Sequence, residues 1–138
     1  MIKTNNSTNL ISSTNPISSV VSSVKHLIDY MMFCDAYNYN VSIDIETDVY
    51  SDYENAVLDG VTYHASEDDA DVIESIILGI QGSTREIEIN IDGIVRLDII
   101  NDDTDDFVLE FNNGTVLTFG FPPEVSDNLK EQNLEKNL

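Results

Sequence analysis

The sequence predicts an α+β domain, and three patterns in the chain lead to this prediction. Apolar residues recur at helical spacing after Pro16. From Asn40 onward they recur at every second position, as is typical of a half-buried strand. Several later apolar runs are separated by Asp-Gly or Asn-Gly pairs, which favour tight hairpin turns. The predicted order is an N-terminal amphipathic helix, a short hairpin region, a second helix, a four-stranded antiparallel meander, and a C-terminal polar tail or short helix.

The first helix is predicted to follow a polar leader. Residues 1–15 are rich in Ser, Thr and Asn, so their composition predicts a flexible segment. Asn15 is a suitable N-cap, and Pro16 suits the first helical position. The helix is expected to end near Asp35. Its apolar face comprises Ile17, Val20, Val21, Val24, Leu27, Ile28, Met31 and Met32.

A strand and a hairpin are predicted next. Apolar and polar residues alternate over 40–50, which indicates a strand with one buried face. The pair Asp59-Gly60 separates the apolar runs 56–58 and 61–63. Because this pair readily adopts the positive φ angles of a two-residue turn, we expect a hairpin there.

The second helix is predicted to run from Ser66 to about Gly82. Ser66 and Asp69 have the spacing of a capping box, and further acids follow in the first turn, where the helix dipole favours them. The expected buried face comprises Val72, Ile73, Ile76, Ile77 and Ile80.

The remaining strands are predicted to form the meander. The four segments are 86–91, 95–99, 107–111 and 115–121, with turns at Asp92-Gly93 and Asn113-Gly114. Pro122-Pro123 ends the last strand. The chain is therefore divided into the leader, one acidic domain over 16–123, and a tail over 124–138. Val125 and Leu129 lie one helical turn apart, which is why the tail is either polar coil or a short docked helix.

The charge of the chain excludes several classes of partner. Six Lys and Arg face 26 Asp and Glu, which gives a net charge of −20 and a pI near 4.1. Binding to nucleic acid or to an anionic membrane requires basic residues, so neither is expected as a direct partner. Hydrophobic residues make up 41% of the chain, enough to build a core. We therefore expect a folded domain whose partner is positively charged.

The acids are distributed unevenly along the chain. Residues 26–84 contain 13 acids, and residues 97–129 contain eight more, with no Lys or Arg in either stretch. Acidic domains usually intersperse basic residues, which reduce self-repulsion. The long stretches without a basic residue therefore indicate a surface for binding a basic partner, although acids that only keep the protein in solution remain the plain alternative.

The predicted partner-binding residues are three groups of acids with two tyrosines. Asp44, Glu46 and Asp48 share one face of the predicted strand, about 6.6 Å apart. This is less than the ~8 Å Debye length at physiological salt, so the three carboxylates repel one another. The other two groups lie at the start of the predicted second helix and in the loop 101–106. The full set is Asp44, Glu46, Asp48, Tyr50, Asp52, Tyr53, Glu54, Glu67, Asp68, Asp69, Asp71, Glu74, Asp102, Asp103, Asp105 and Asp106.

Catalytic and metal-binding residues are not expected. His26 lies one helical turn before Asp29, a spacing that can orient an imidazole, but a catalytic base also needs a substrate site, so a partly exposed helix residue is expected. His64 at a strand end is similar, and Cys34 is predicted to be a buried thiol. The loop 101–106 fits no EF-hand register, because position six is an Asp and position twelve is not Glu, whether counted from Asp98 or Asn101. We therefore expect no enzyme activity and no cofactor.

The sequence predicts a cytoplasmic protein. A single cysteine forms no internal disulfide, no run reaches the ~20 apolar residues of a membrane span, and the first residues lack the apolar core of a signal peptide.

These features resemble, as a class only, the small acidic α+β DNA mimics that phages and mobile elements direct against CRISPR, restriction or DNA-repair enzymes. The resemblance implies a non-enzymatic inhibitor that occupies the basic nucleic-acid-binding surface of an enzyme or effector. Three alternatives stay open. They are an immunity protein that neutralises a basic nuclease toxin, an acidic dimeric secretion chaperone with a similar order of helices and strands, and an enzyme or calcium protein. The sequence predicts neither the partner nor whether the chain is a monomer or a homodimer.

Overall fold

A computed structural model describes residues 16–136 as two helices and one seven-stranded antiparallel sheet. The predicted leader, 1–15, lies outside the described residues. In chain order, the elements are α1 Pro16–Tyr37, β1 Asn40–Glu46, β2 Ser51–Ala65, β3 Ile73–Ile80, β4 Glu86–Asn90, β5 Ile94–Asn101, β6 Asp105–Phe111, β7 Val116–Phe121 and α2 Pro123–Lys136.

The first helix forms where helical periodicity predicts it. Its buried residues include Val24, Leu27 and Met31, each at most 1% exposed. It ends because Asn38 takes a left-handed conformation with φ 59°, and the N–H of Tyr39 bonds back to the carbonyl of Cys34 at 3.1 Å. The thiol of Cys34 is buried, as the sequence predicts.

The predicted fold class is wrong, because the segment 66–82 contains no helix and the sheet has seven strands. Ser66 and Asp69 bond to backbone N–H groups two residues ahead of them, which closes a turn. Ile73–Ile80 then forms β3, whose buried residues are mostly alternate ones. An isoleucine-rich run fits a helix face and a buried strand about equally well, and the β-branched side chains favour the strand.

The predicted hairpin at Asp59-Gly60 is also wrong. Both residues lie inside β2, a continuous strand of 15 residues. The register with β3 shifts between Leu58 and Val61, which marks a β-bulge at this pair. Gly60 has φ 99°, and its N–H donates to the Asp35 carboxylate of α1 at 2.9 Å. A glycine with positive φ is compatible with a β-bulge as well as with a hairpin turn. Here the strand bends at the bulge and does not reverse direction.

The strand order is β4-β3-β2-β1-β7-β6-β5, so β2 has a different partner in each half. Its residues 51–57 pair with β1, and its residues from 58 onward pair with β3. The predicted hairpin at Asp92-Gly93 is wrong as well, because β4 and β5 lie at opposite edges of the sheet. A 3₁₀ turn, Ile91–Gly93, joins them.

The sheet must be strongly curved to allow this short connection. Seven strands laid flat would place β4 and β5 about 29 Å apart. The chain from Asn90 to Ile94 spans at most about 14 Å. The helix α1 contacts β2, β3 and β5, which places it on the concave side. We call the opposite, convex side the outer face.

The core lies between α1 and the concave side of the sheet. Its largest fully buried side chains include Phe107, Phe119 and Phe121 of the last two strands, with Val125 of α2 completing one end. Tyr30 packs edge-on against Phe107 and Phe121, with ring centroids 5.0 and 5.2 Å away. Helix α2 therefore docks on the core. Of the two alternatives predicted for the tail, the structure has the docked helix.

Among residues 16–136, no helix is both long enough and apolar enough to span a membrane.

Candidate protein-binding surface on the outer face

The outer face is built from alternate residues of five adjacent strands. Directly paired residues in an antiparallel sheet point to the same side, so the register defines three rows of side chains. From β2 to β5, the first row is Ser51, Glu46, Val116, Glu110 and Arg96. The second is Tyr53, Asp44, Thr118, Val108 and Asp98. The third is Asn55, Ser42, Gly120, Asp106 and Ile100.

The outer face therefore holds five acids and one basic residue. Asp44 and Glu46 are exposed and stand about 6.6 Å apart on β1, as the sequence predicts. Glu110 lies two strands from Glu46, about 9.6 Å away. Arg96, the basic residue of this face, forms an ion pair with Asp98 at 2.7 Å. Among the described residues, Asp44 and Glu46 of β1 therefore have no ion-pair partner.

A hollow of about 520 Å³ lies on the outer face beside Asp44. Gly120 belongs to its lining, and a Cβ at this position would come within 2.3 Å of the Ser42 Oγ and 3.0 Å of an Asp106 oxygen, so no side chain fits there. Asp106 is held in place by a hydrogen bond from the Thr104 hydroxyl at 2.8 Å. The hollow is thus lined by two carboxylates and by hydroxyl groups, which suits a cationic side chain of a partner.

The turn between β1 and β2, residues 47–50, forms an exposed tip at one end of the outer face. Thr47 fixes this turn, because its hydroxyl oxygen accepts the N–H groups of Val49 and Tyr50 at 3.3 and 3.2 Å. Val49 is 88% exposed and Tyr50 is 54% exposed. We call residues 47–50 the hairpin tip. It presents two apolar side chains in a fixed conformation.

Asp48 belongs to the hairpin tip and not to the row on β1. The strand ends at Glu46, and an Asp48 oxygen lies 3.9 Å from where a Cβ of Gly114 would be. The predicted row of three carboxylates on one strand is therefore a row of two, with the third turned toward the β6–β7 turn.

The other predicted residues of β2 differ in their exposure. Tyr53 is 62% exposed on the outer face, opposite Asp44. Asp52 is exposed but lies opposite Ile45, on the side that carries the core. Glu54 is half-buried and forms an ion pair with Arg85.

The structure does not bring the three predicted acidic groups together on one side. The second group lies in the turn between β2 and β3, and Asp71 in that turn forms an ion pair with Lys25 of α1 at 3.5 Å. This turn is therefore on the α1 side of the sheet. Its members are Glu67, Asp68, Asp69 and Asp71, with Glu74 following as an exposed residue of β3.

The third group is divided between solvent and core. Asp102 and Asp103 are exposed in the β5–β6 turn, and Asp106 lies on the outer face. Asp105 is only 7% exposed, and it accepts hydrogen bonds from Asn101 at 2.6 Å and from the Tyr30 hydroxyl at 3.3 Å. Asp105 is therefore packed within the fold and is not available at the surface for contact with a partner.

Sequence reasoning missed Glu110 and Asp98. Asp106, Val108 and Glu110 occupy alternate positions of β6 and therefore share a face. That alternation is visible in the sequence. Only the pairing of β6 with β7, and of β7 with β1, shows that this face continues the face of Asp44 and Glu46.

Over 16–136, no group of three or more His, Cys, Asp or Glu is placed to hold a metal ion. Burial raises the pKa of the Cys34 thiol to about 12, so the thiol is protonated at neutral pH. Burial also raises the pKa of Tyr30, and the nearby Asp105 carboxylate raises it further.

No known protein family matches the chain, and no curated protein matches its sequence.

Proposed function

We propose that this protein is a non-enzymatic inhibitor that binds the basic nucleic-acid-binding surface of an enzyme or effector in the cytoplasm of a bacterial cell. The observation that carries the proposal is the convex outer face, on which Asp44, Glu46 and Asp106 have no ion-pair partner among the described residues. A convex acidic surface is complementary to a concave basic groove that binds nucleic acid.

Three of the six Lys and Arg support the proposal by their positions. The ion pairs of Lys25, Arg85 and Arg96 involve Asp71, Glu54 and Asp98, and none of them involves Asp44 or Glu46 of β1. The charge on Asp44 and Glu46 is therefore available to a partner. Charge complementarity of this kind accelerates association and disfavours incorrect partners.

The hairpin tip and Tyr53 supply the apolar part of the proposed interface. Interfaces depend for much of their affinity on a few aromatic or apolar anchors surrounded by polar contacts. Val49, Tyr50 and Tyr53 are exposed beside Asp48 and Glu46, and the hydrogen bonds of Thr47 fix the conformation of the turn before binding. An anchor that is already ordered loses less conformational entropy on association.

The secretion-chaperone alternative loses its main support in the structure. That alternative depends on a helix–strands–helix–strands order, and strand β3 occupies the segment predicted to be the second helix. An immunity protein against a basic nuclease toxin would use the same surface, so it differs from our proposal in the partner and not in the physics.

The experiment is affinity capture from a bacterial lysate, followed by mass spectrometry and by competition. We expect captured proteins to be basic nucleic-acid-binding proteins. Duplex DNA should displace them, and so should raising the salt from about 50 to about 500 mM. Capture that resists both DNA and salt would contradict the proposal. A captured toxin nuclease would instead indicate an immunity protein.

A charge-reversal variant locates the surface. Asp44→Lys, Glu46→Lys and Asp48→Lys together should weaken binding at least tenfold, because each change replaces an attraction by a repulsion. The matched control is Glu67→Lys, Asp68→Lys and Asp69→Lys, which changes the net charge equally in the β2–β3 turn. Equal losses in the two triple variants would mean that net charge, and not the outer face, determines binding.

A further inference from the structure

The strand β5 lies at one edge of the sheet and carries exposed apolar side chains. Among the described strands, β5 pairs only with β6, so its other side has no strand partner. Val95 is 60% exposed, Ile99 38% and Ile100 51%. Unpaired edges with exposed apolar residues readily pair with another strand.

The opposite edge of the sheet differs in a way that makes β5 stand out. The edge strand β4 is only five residues long and carries Glu86 and Glu88. Both residues are exposed, so two β4 edges would repel each other. The strand β5 is eight residues long and has one Arg and one Asp, so it is locally neutral in a chain of net charge −20.

The sequence of β5 is complementary to itself in the antiparallel direction. When two copies of the strand are paired about a two-fold axis through Leu97, Arg96 lies opposite Asp98 and Asp98 opposite Arg96. Continuing outward, Val95 lies opposite Ile99. The symmetric stretch ends there, because the register of β5 with β6 shifts between Ile94 and Arg96. Over residues 95–99, apolar side chains therefore lie opposite apolar side chains, and each Arg lies opposite an Asp.

From this symmetry we infer that the protein forms a two-fold dimer by antiparallel pairing of β5 with β5 of a second copy. The ion pair between Arg96 and Asp98, 2.7 Å within one chain, becomes part of a four-membered cluster across the axis. The exposed Val95 and Ile99 side chains gain cross-strand neighbours, and the two sheets become continuous. The inference does not depend on the proposed function.

The mass in solution is the first test. Light scattering of the full chain across a concentration series of about 5–500 µM should show a rise from 15.4 kDa toward twice that mass. Raising the salt should favour the dimer, because it screens the repulsion between two chains of charge −20. This is the opposite of the effect expected for a complex with a basic partner. A constant mass of 15.4 kDa over the whole series overturns the inference.

Paired charge variants test the register. Arg96→Asp and Asp98→Arg should each raise the dimer dissociation constant at least tenfold, because like charges then meet across the axis. An equimolar mixture of the two variants should restore association as a heterodimer, and so should a chain carrying both changes. Because restoration requires folded chains, it separates loss of the interface from loss of the fold.

The control is Glu88→Arg on β4, which changes the charge by the same amount as Asp98→Arg and should leave the dimer intact. A dimer that persists in both β5 single variants would show that the association uses another surface and would overturn the inference.

Discussion

At the scale of single residues, Asp105 shows how position decides what a carboxylate does. It is the one charged residue that is buried within the described part of the chain. Burying a carboxylate is unfavourable unless hydrogen bonds satisfy it, and Asn101 and Tyr30 both donate to it. Its sequence neighbours Asp103 and Asp106 have no such role, although all belong to the same acidic run.

We predict that Asp105→Ala lowers the free energy of unfolding by about 1–3 kcal/mol, because the Asn101 amide and the Tyr30 hydroxyl lose their acceptor in a half-buried site. Urea denaturation followed by circular dichroism measures the change. Asp103→Ala, an exposed neighbour, should stay within about 0.5 kcal/mol of the wild type. Equal effects of the two substitutions would show that the buried hydrogen bonds do not contribute.

At the scale of elements, β2 determines the architecture. One strand pairs with β1 in its first half and with β3 in its second, and the bulge at Asp59-Gly60 bends the sheet between them. The bond from the Gly60 N–H to Asp35 ties this bend to the C-terminal part of α1. The curvature of the sheet around α1 therefore depends on a glycine and a helix carboxylate that are 25 residues apart in the chain.

We predict that Gly60→Ala destabilises the fold by about 1–3 kcal/mol, because an L-residue is strained at φ 99°. Thermal denaturation should show a lower Tm. The control is Gly93→Ala, where φ is not positive and the added Cβ meets only a Phe111 ring carbon at an ordinary 3.6 Å. If Gly93→Ala costs as much as Gly60→Ala, backbone strain at the bulge is not the cause.

At the scale of the whole molecule, the net charge of −20 opposes folding. Three ion pairs in the described residues neutralise Asp71, Glu54 and Asp98, and the majority of the acids have no such partner. Bringing like charges together in a compact state is unfavourable, and the acids on β1 and the hairpin tip contribute to this repulsion. A surface kept acidic at a cost in stability is what a basic partner would require.

We predict that NaCl stabilises the protein. Between about 20 and about 500 mM salt, Tm should rise by at least about 3 °C, the shift that 1 kcal/mol produces in a domain of this size. Differential scanning calorimetry measures it. The neutral triple variant Asp44→Asn, Glu46→Gln and Asp48→Asn should be more stable at low salt and should gain less from added salt. A Tm independent of salt would show that the repulsion is negligible.

The sequence by itself determined α1, β1 and the four last strands, because the periods of 3.6 and 2 residues follow directly from which side chains must be buried. It also determined that Asp44 and Glu46 share an exposed face, since alternation along a strand is a local property. Three local signals were misread, because their hydrogen bonds and φ angles suit more than one structure. They are the capping residues at Ser66 and the pairs Asp59-Gly60 and Asp92-Gly93.

Only the tertiary structure decided strand order, curvature and the composition of the outer face. Pairing partners depend on contacts between residues far apart in the chain, which no local pattern contains. For that reason Glu110 and Asp106 join Asp44 and Glu46, whereas Asp105 is buried and the acids of the β2–β3 turn lie on the other side. The sequence supplies the charge and its alternation, and the sheet register decides which charges share a surface.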